Sequence, residues 1–161
     1  MLGMISVAFV IGMLSGCGGS SKGAPHSGSI TISPSEKTWA VKWTAPAVPA
    51  CAGNYSYTEF MITVADKNGR PVSHVDLDVT LDLSLGTSFY DTMRLYDDPA
   101  WVAGSSTPPT NRVTSTYRTS TGDFGTKRLI VGMDLNCPAY KGSLGIYSGE
   151  IFKEASLSVT N

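Results

Sequence analysis

The chain has 161 residues, with 12 Lys plus Arg against 13 Asp plus Glu, a formal charge of −1, and three cysteines. That near-neutral balance excludes the cationic footprint of a nucleic-acid binder, so no nucleic-acid partner is expected. Only 16% of residues are charged, and 17 Gly and 9 Pro accompany abundant Ser and Thr, which points to turns and strands and away from a helical bundle.

The first element, Met1 to Leu14, carries no charged side chain, and from Gly18 the sequence becomes Gly- and Ser-rich. As a helix ending at Gly16 it would be about 24 Å long, short of the roughly 30 Å hydrocarbon core of a bilayer. A removable leader over residues 1–16 is therefore expected, not a membrane span. Leu14-Ser15-Gly16-Cys17 resembles the lipobox of bacterial lipoproteins, an aliphatic residue and two small ones before a cysteine. The resemblance implies a diacylglycerol on the thiol of Cys17, cleavage between Gly16 and Cys17, and acylation of the new amine. More than one acyl chain makes membrane attachment lasting, where a single chain gives only marginal binding. Gly18 and Gly19, with no Asp directly after the cysteine, resemble the outer-membrane sorting pattern of enterobacterial lipoproteins, so the expected location is the bacterial cell envelope. The sequence departs from an export signal in one respect, since no Lys or Arg precedes Lys22. The alternative for Cys17 is a small buried hydrophobe in an N-terminal element. Residues 17–28 read as a tether with a reach of roughly 18 Å, and His26 within it reads as solvated.

From Ser29 period-two alternation takes over. Val75, Leu77, Val79, Leu81, Leu83 and Leu85 share one face of a predicted strand, while Asp76, Asp78, Thr80, Asp82 and Ser84 share the other. Shorter alternating runs contain Ile30 and Ile32; Trp39, Val41 and Trp43; Phe60, Ile62 and Val64; Val113, Ser115 and Tyr117; Leu129, Val131, Met133 and Leu135; and Leu157 and Val159. Turn signals separate them, among them Asp66-Lys67-Asn68-Gly69, Pro108-Pro109 and Gly122-Asp123-Phe124-Gly125. Seven to nine short strands over residues 29–161 predict an all-β, antiparallel sandwich. Ile62 to Val72, followed by the strand from Val75, resembles the bacterial immunoglobulin-like domains of the invasin and intimin kind, where a strand ends in an Asp-x-Asn-Gly-x-Pro turn. Thr119 to Thr126, followed by Leu129 and Val131, is similar to a later turn and strand of those domains. The resemblance implies an Ig-like β-sandwich. It departs from the family in having one domain and a long insertion from Asp91 to Arg112.

An odd set of cysteines fits neither a zinc cluster nor a fully paired framework. In an exported domain, pairing of Cys51 with Cys137 is the expectation, and closing a loop of about 87 residues would stabilise by roughly 4–5 kcal/mol on the chain-entropy model. The alternative is two separate buried thiols.

No nucleophile elbow, phosphate loop, dinucleotide fingerprint, H-E-x-x-H or C-x-x-C motif occurs, and outside the tether the only histidine is His74, read as a surface residue at a strand entrance. Asp76, Asp78 and Asp82 form a carboxylate row with neighbours about 6.8 Å apart, too wide for one calcium ion to bridge. Lys127, Arg128 or other bases are candidates to satisfy that row across strands. Asp66-Lys67-Asn68-Gly69 opens like a calcium loop but lacks the later ligands, and reads as a turn. Neither a catalytic residue, a metal nor a cofactor is expected. Within the Asp91–Arg112 insertion, Tyr96 and Trp101 are candidate partner-binding residues, because loops carry function and aromatic residues anchor interfaces; the alternative is that Trp101 caps one end of the core. The expected function is a lipid-anchored, non-enzymatic envelope or cell-surface module that binds another protein and supports an assembly. The alternative is a carbohydrate-binding or host-adhesion module using Tyr96 and Trp101.

Overall fold

The computed structural model describes residues 28–40, 53–83, 92–137 and 140–160. Ten strands lie among them: β1 (Ser29–Ser33), β2 (Glu36–Ala40), β3 (Tyr55–Ala65), β4 (Asp76–Leu83), β5 (Met93–Tyr96), β6 (Arg112–Val113), β7 (Thr116–Ser120), β8 (Thr126–Asp134), β9 (Tyr140–Ser148) and β10 (Ile151–Thr160). They form two five-stranded sheets, ordered β1-β3-β8-β5-β6 and β2-β10-β9-β4-β7. The alternating residues do what their period requires. Phe60, Ile62 and Val64 of β3 and Leu129, Val131 and Met133 of β8 face Leu77 and Val79 of β4, Leu144 and Ile146 of β9 and Leu157 and Val159 of β10 in one buried cluster.

Within the first sheet β1, β3, β8 and β5 follow the order of strands A, B, E and D of an immunoglobulin constant-type domain, and in the second β4, β9 and β10 follow C, F and G. The fold is an immunoglobulin-like β-sandwich. Pro34, which has no N–H to continue a ladder, marks where the chain leaves the first sheet for the second, where β2 runs parallel to β10. β6 and β7 are additions, and they widen the sandwich on one side.

Two strands were not legible as alternation. β5 lies inside the predicted Asp91–Arg112 insertion, and Met93, Leu95 and Tyr96 are all buried because both of its faces are covered. In β9, Gly142 and Gly145 replace the expected alternating side chains: a Cβ on Gly142 would stand 2.5 Å from the Asp82 carbonyl oxygen, and one on Gly145 2.6 Å from Thr80 Oγ1. The Asp66–Gly69 segment is a turn, as expected, with Gly69 at φ 77 and the Asp66 carboxylate accepting the N–H groups of Asn68 and Arg70. It closes only a bridge between Ala65 and Pro71, after which the chain crosses to the other sheet. Trp39 is a core residue. Val41, Trp43, Cys17, Cys51, the leader and the tether with His26 lie outside the described residues.

The carboxylate row of β4 takes a cross-strand base, as expected, but neither of the two named, Lys127 and Arg128. Arg118, on the neighbouring β7, pairs with Asp78 at 2.7 Å. Lys127 and Arg128 belong to β8 in the opposite sheet, and there they pair with Asp97 and Glu59.

Candidate functional site

Three surfaces gather the side chains that chemistry or recognition could use. The first lies at one end of the sandwich, where β5 runs out and β8 begins. Asp97 accepts two hydrogen bonds from Lys127 Nζ, at 2.8 and 2.7 Å, and one from the Tyr117 hydroxyl at 2.7 Å. Lys127 comes from the first sheet and Tyr117 from the second, so one carboxylate ties the sheets together. Donating to Asp97 raises the Tyr117 hydroxyl above its ordinary value. Beside this knot opens a cavity of about 380 Å³ whose lining includes His74, Ser120, Thr121, Lys127 and Arg128. Several of its polar groups are held by the protein. The buried Thr121 hydroxyl donates to the Val72 carbonyl and accepts the Val75 N–H, and Arg128 donates to Glu59 and to the Asp98 carbonyl. His74, at φ 54, faces the exposed Asp123 at 3.0 Å.

The second surface is the outer face of the first sheet, which carries the two aromatic residues expected to meet a partner. Tyr96 is 4% exposed and Trp101 6% exposed. They form a small buried cluster with Ile130, against which Tyr57 packs. Tyr57 meets Tyr96 and Trp101 edge-on, with ring centroids 5.8 and 6.2 Å apart. Burial, with Tyr96 beside it, pushes the Tyr57 hydroxyl up to about 12. The loop from Asp97 to Asn111 is folded down over this cluster by Asp98, whose carboxylate accepts the N–H groups of Thr110, Ala100 and Trp101 and the Thr110 hydroxyl. Those bonds, the Thr110 N–H foremost, hold the Asp98 carboxyl below its ordinary value. Trp101 Nε1 donates to the Thr107 carbonyl at 2.9 Å. Trp101 is therefore a prop beneath its own loop: it neither stands out as an exposed anchor nor caps an end of the core, and its ring is not free to stack on a sugar. Farther along the same face, Gly132 leaves room for Tyr57, whose ring would lie 2.8 Å from a Cβ there, and Arg94 sits over the Tyr55 ring at 4.0 Å.

The third surface is the edge and outer face of the second sheet. Leu81 N–H donates to the Ser115 carbonyl and Thr121 N–H to the Val75 carbonyl. Ladder alternation from those two fixed pairs turns the backbone groups of Ser115, Tyr117, Thr119 and Thr121 toward β4, and those of Thr116, Arg118 and Ser120 away from it. The Thr116 carbonyl accepts the Thr114 hydroxyl. Thr116, Arg118 and Ser120 are all exposed. Inward from the edge, register sets Arg118, Asp78, Tyr147 and Phe152 in one row across four strands. Tyr147 and Phe152 pack together at 4.4 Å, each about half-exposed. Sequence reading did not single out this pair; the two half-exposed rings flank the Ser148–Ile151 turn.

Of the predicted cysteines only Cys137 is described: it is buried and disulfide-bonded, and both other cysteines lie outside the described residues.

No protein-family profile matches the chain, and no curated protein does. Among solved structures it is similar to a family 123 glycoside hydrolase from Clostridium perfringens, at 10% identity and a TM-score of 0.41, over 83% of this chain and 27% of that one. It is also similar to PapD-like domain 7 of human CEP192, at 11% identity and a TM-score of 0.37, over 99% of this chain and 97% of that one. The chain thus spans little more than a quarter of the hydrolase, and neither likeness carries an activity across.

Proposed function

We propose that the protein is a non-enzymatic module of the bacterial envelope, held at the outer membrane by lipid on Cys17, that binds another protein and supports its assembly through the outward edge of β7. The observation that carries this reading is the edge itself. An extended segment laid along Thr116–Ser120 would find backbone donors and acceptors aimed at it, each new hydrogen bond contributing about 1 kcal/mol. Exposed strand edges left unguarded invite pairing, and here the guard is light: one charged side chain, Arg118, already neutralised by Asp78.

A binding role also agrees with how the carboxylates are used. Asp97 holds the two sheets together and Asp98 folds its loop. Asp134 accepts the N–H groups of Gly53 and Asn136 at the far end of the sandwich. The lipobox sequence Leu14-Ser15-Gly16-Cys17 supports the anchor, and pairing of Cys51 with Cys137 would staple that far end.

The test is capture from mild-detergent extracts by the full chain. Arg118→Pro removes an N–H that faces away from β4, so the ladder survives while a partner strand loses its central donor. Capture should be lost in Arg118→Pro and kept in Arg118→Ala, with matching thermal melts. A chain recovered alone and uncrosslinked, or a proline variant that captures as well as the parent, overturns the edge reading. Intact mass decides the anchor separately, by acyl groups on Cys17.

A further inference from the structure

We infer that the end of the sandwich bearing Phe124 seats on the bilayer, with the Phe124 ring at headgroup level; this rests on the proposal that lipid on Cys17 anchors the chain. Phe124 is 82% exposed, more than any other large hydrophobic residue described. It stands at the tip of a turn that is fixed on both sides. Gly125 N–H donates to the Gly122 carbonyl and Gly122 N–H to the Thr126 carbonyl. Gly125 lies so close to the chain at Pro71 and Val72 that a Cβ on it would stand 2.7 Å from the Val72 nitrogen. Asp123 is held by His74 at 3.0 Å. The ring is thus aimed outward by a built turn.

Topology says what it is aimed at. Ser29, where the tether enters β1, pairs with Ala65, and the adjacent Val64 N–H donates to the Gly125 carbonyl. The tether and the Phe124 turn therefore leave the domain at the same end. Only the eleven residues from Gly18 to Gly28 stand between Cys17 and Ser29, so a lipid on Cys17 holds this end of the domain nearer the membrane than the other. Exposed Lys67 and Arg70 stand on the neighbouring turn. Its Asp66 carboxylate is occupied by the N–H groups of Asn68 and Arg70. An aromatic ring beside a carboxylate held by His74, with the cations Lys67 and Arg70 on the neighbouring turn, suits the headgroup layer, where rings settle and basic side chains meet anionic lipid. Seated so, the sandwich presents its Cys137 end away from the bilayer.

The experiment compares the acylated full chain with its Phe124→Trp variant in vesicles of phosphatidylethanolamine and phosphatidylglycerol, with and without brominated acyl chains. Trp39 and Trp101 are buried, and emission common to both chains subtracts out. The emission added at position 124 should be blue-shifted and lost in brominated vesicles, whereas that added by Val102→Trp, on the loop over the first sheet, should be unaffected. Acylated protein whose added Phe124→Trp emission is neither shifted nor quenched overturns the seating and leaves the anchor standing. Protein whose mass shows no acyl group on Cys17 overturns both.

Discussion

The turn that carries Phe124 gives the sharpest quantitative test, because two glycines of like backbone conformation differ only in their surroundings. Gly125 has φ +67, and a Cβ on it would meet the Val72 nitrogen at 2.7 Å, Pro71 Cβ at 2.8 Å and the Pro71 carbonyl carbon at 3.0 Å. Two of the three are backbone atoms, which cannot swing aside. Gly69 has φ +77 and nothing within 4 Å. Gly69→Ala therefore bears only the torsional term, about 1–2 kcal/mol for an L-residue in the left-handed region. Gly125→Ala adds a crowding term of about 1–3 kcal/mol, for a total of roughly 2–5 kcal/mol. Against a typical domain stability of about 5–15 kcal/mol, the second change removes a large fraction and the first a small one. Urea unfolding followed by tryptophan fluorescence reads both, with unchanged slopes reporting that only stability moved. Equal losses in the two variants would refute the argument, since they would mean that the Gly122–Gly125 turn does not lie against Pro71 and Val72.

Breaking the tie between the sheets should be costly on one side only: Lys127→Met leaves the Asp97 carboxylate uncompensated and is expected to lose about 2–4 kcal/mol, while Asp97→Leu combined with Lys127→Met loses less than that single change, as a double-mutant cycle in urea would show. Asp66 and Asp98 both have carboxyls lowered from 3.8, chiefly by the N–H groups of Arg70 and Thr110. Their stabilisation is present above 3.8 and is lost as pH falls below it, so the urea midpoint should drop in acid, and less so in Asp98→Asn. Tyr57 is raised from 10.0 to about 12, so its stabilisation is present below 10.0 and fades as pH rises toward 12; Tyr57→Phe should remove that alkaline component from the midpoint and from the tyrosinate absorbance. Trp101→Ala removes the prop and the bond to Thr107 and should lose about 3 kcal/mol, at the low end for a buried Trp because the cluster is small, with amide protection falling from Ala100 to Thr110 before it falls in β8.

Alternation alone was enough for the inner faces of β3, β4 and β10, because a strand with one dry face and one wet face writes its geometry into a period of two. It failed for β5 and β9 for opposite reasons. The loop folded by Asp98 buries Tyr96 on the outer face of β5, so in a four-residue strand Arg94 alone marks the polar positions. In β9, glycines replace the side chains that would have carried the signal, since Thr80, Phe152 and Met93 occupy their space. The same blindness affected the candidate site. Tyr96 and Trp101 look like exposed anchors in a Pro-rich insertion until Asp98 gathers Ala100, Trp101 and Thr110 and closes the loop over them.

Composition, the period-two alternation and the turn chemistry at Asp66–Gly69 determined the class of the domain without help from any contact: an all-β chain of short strands joined by tight turns. Those features act through local propensity and solvation, which each short stretch carries by itself. Only the tertiary structure decided that Arg118, and not Lys127 or Arg128, meets Asp78 of β4, that β7 is an edge among the described strands, and that Phe124 shares an end with the start of β1. Each depends on which strands become neighbours after residues far apart in the chain are brought together, and neighbour choice is settled by burying both sheets' inner faces at once, an outcome no single segment contains.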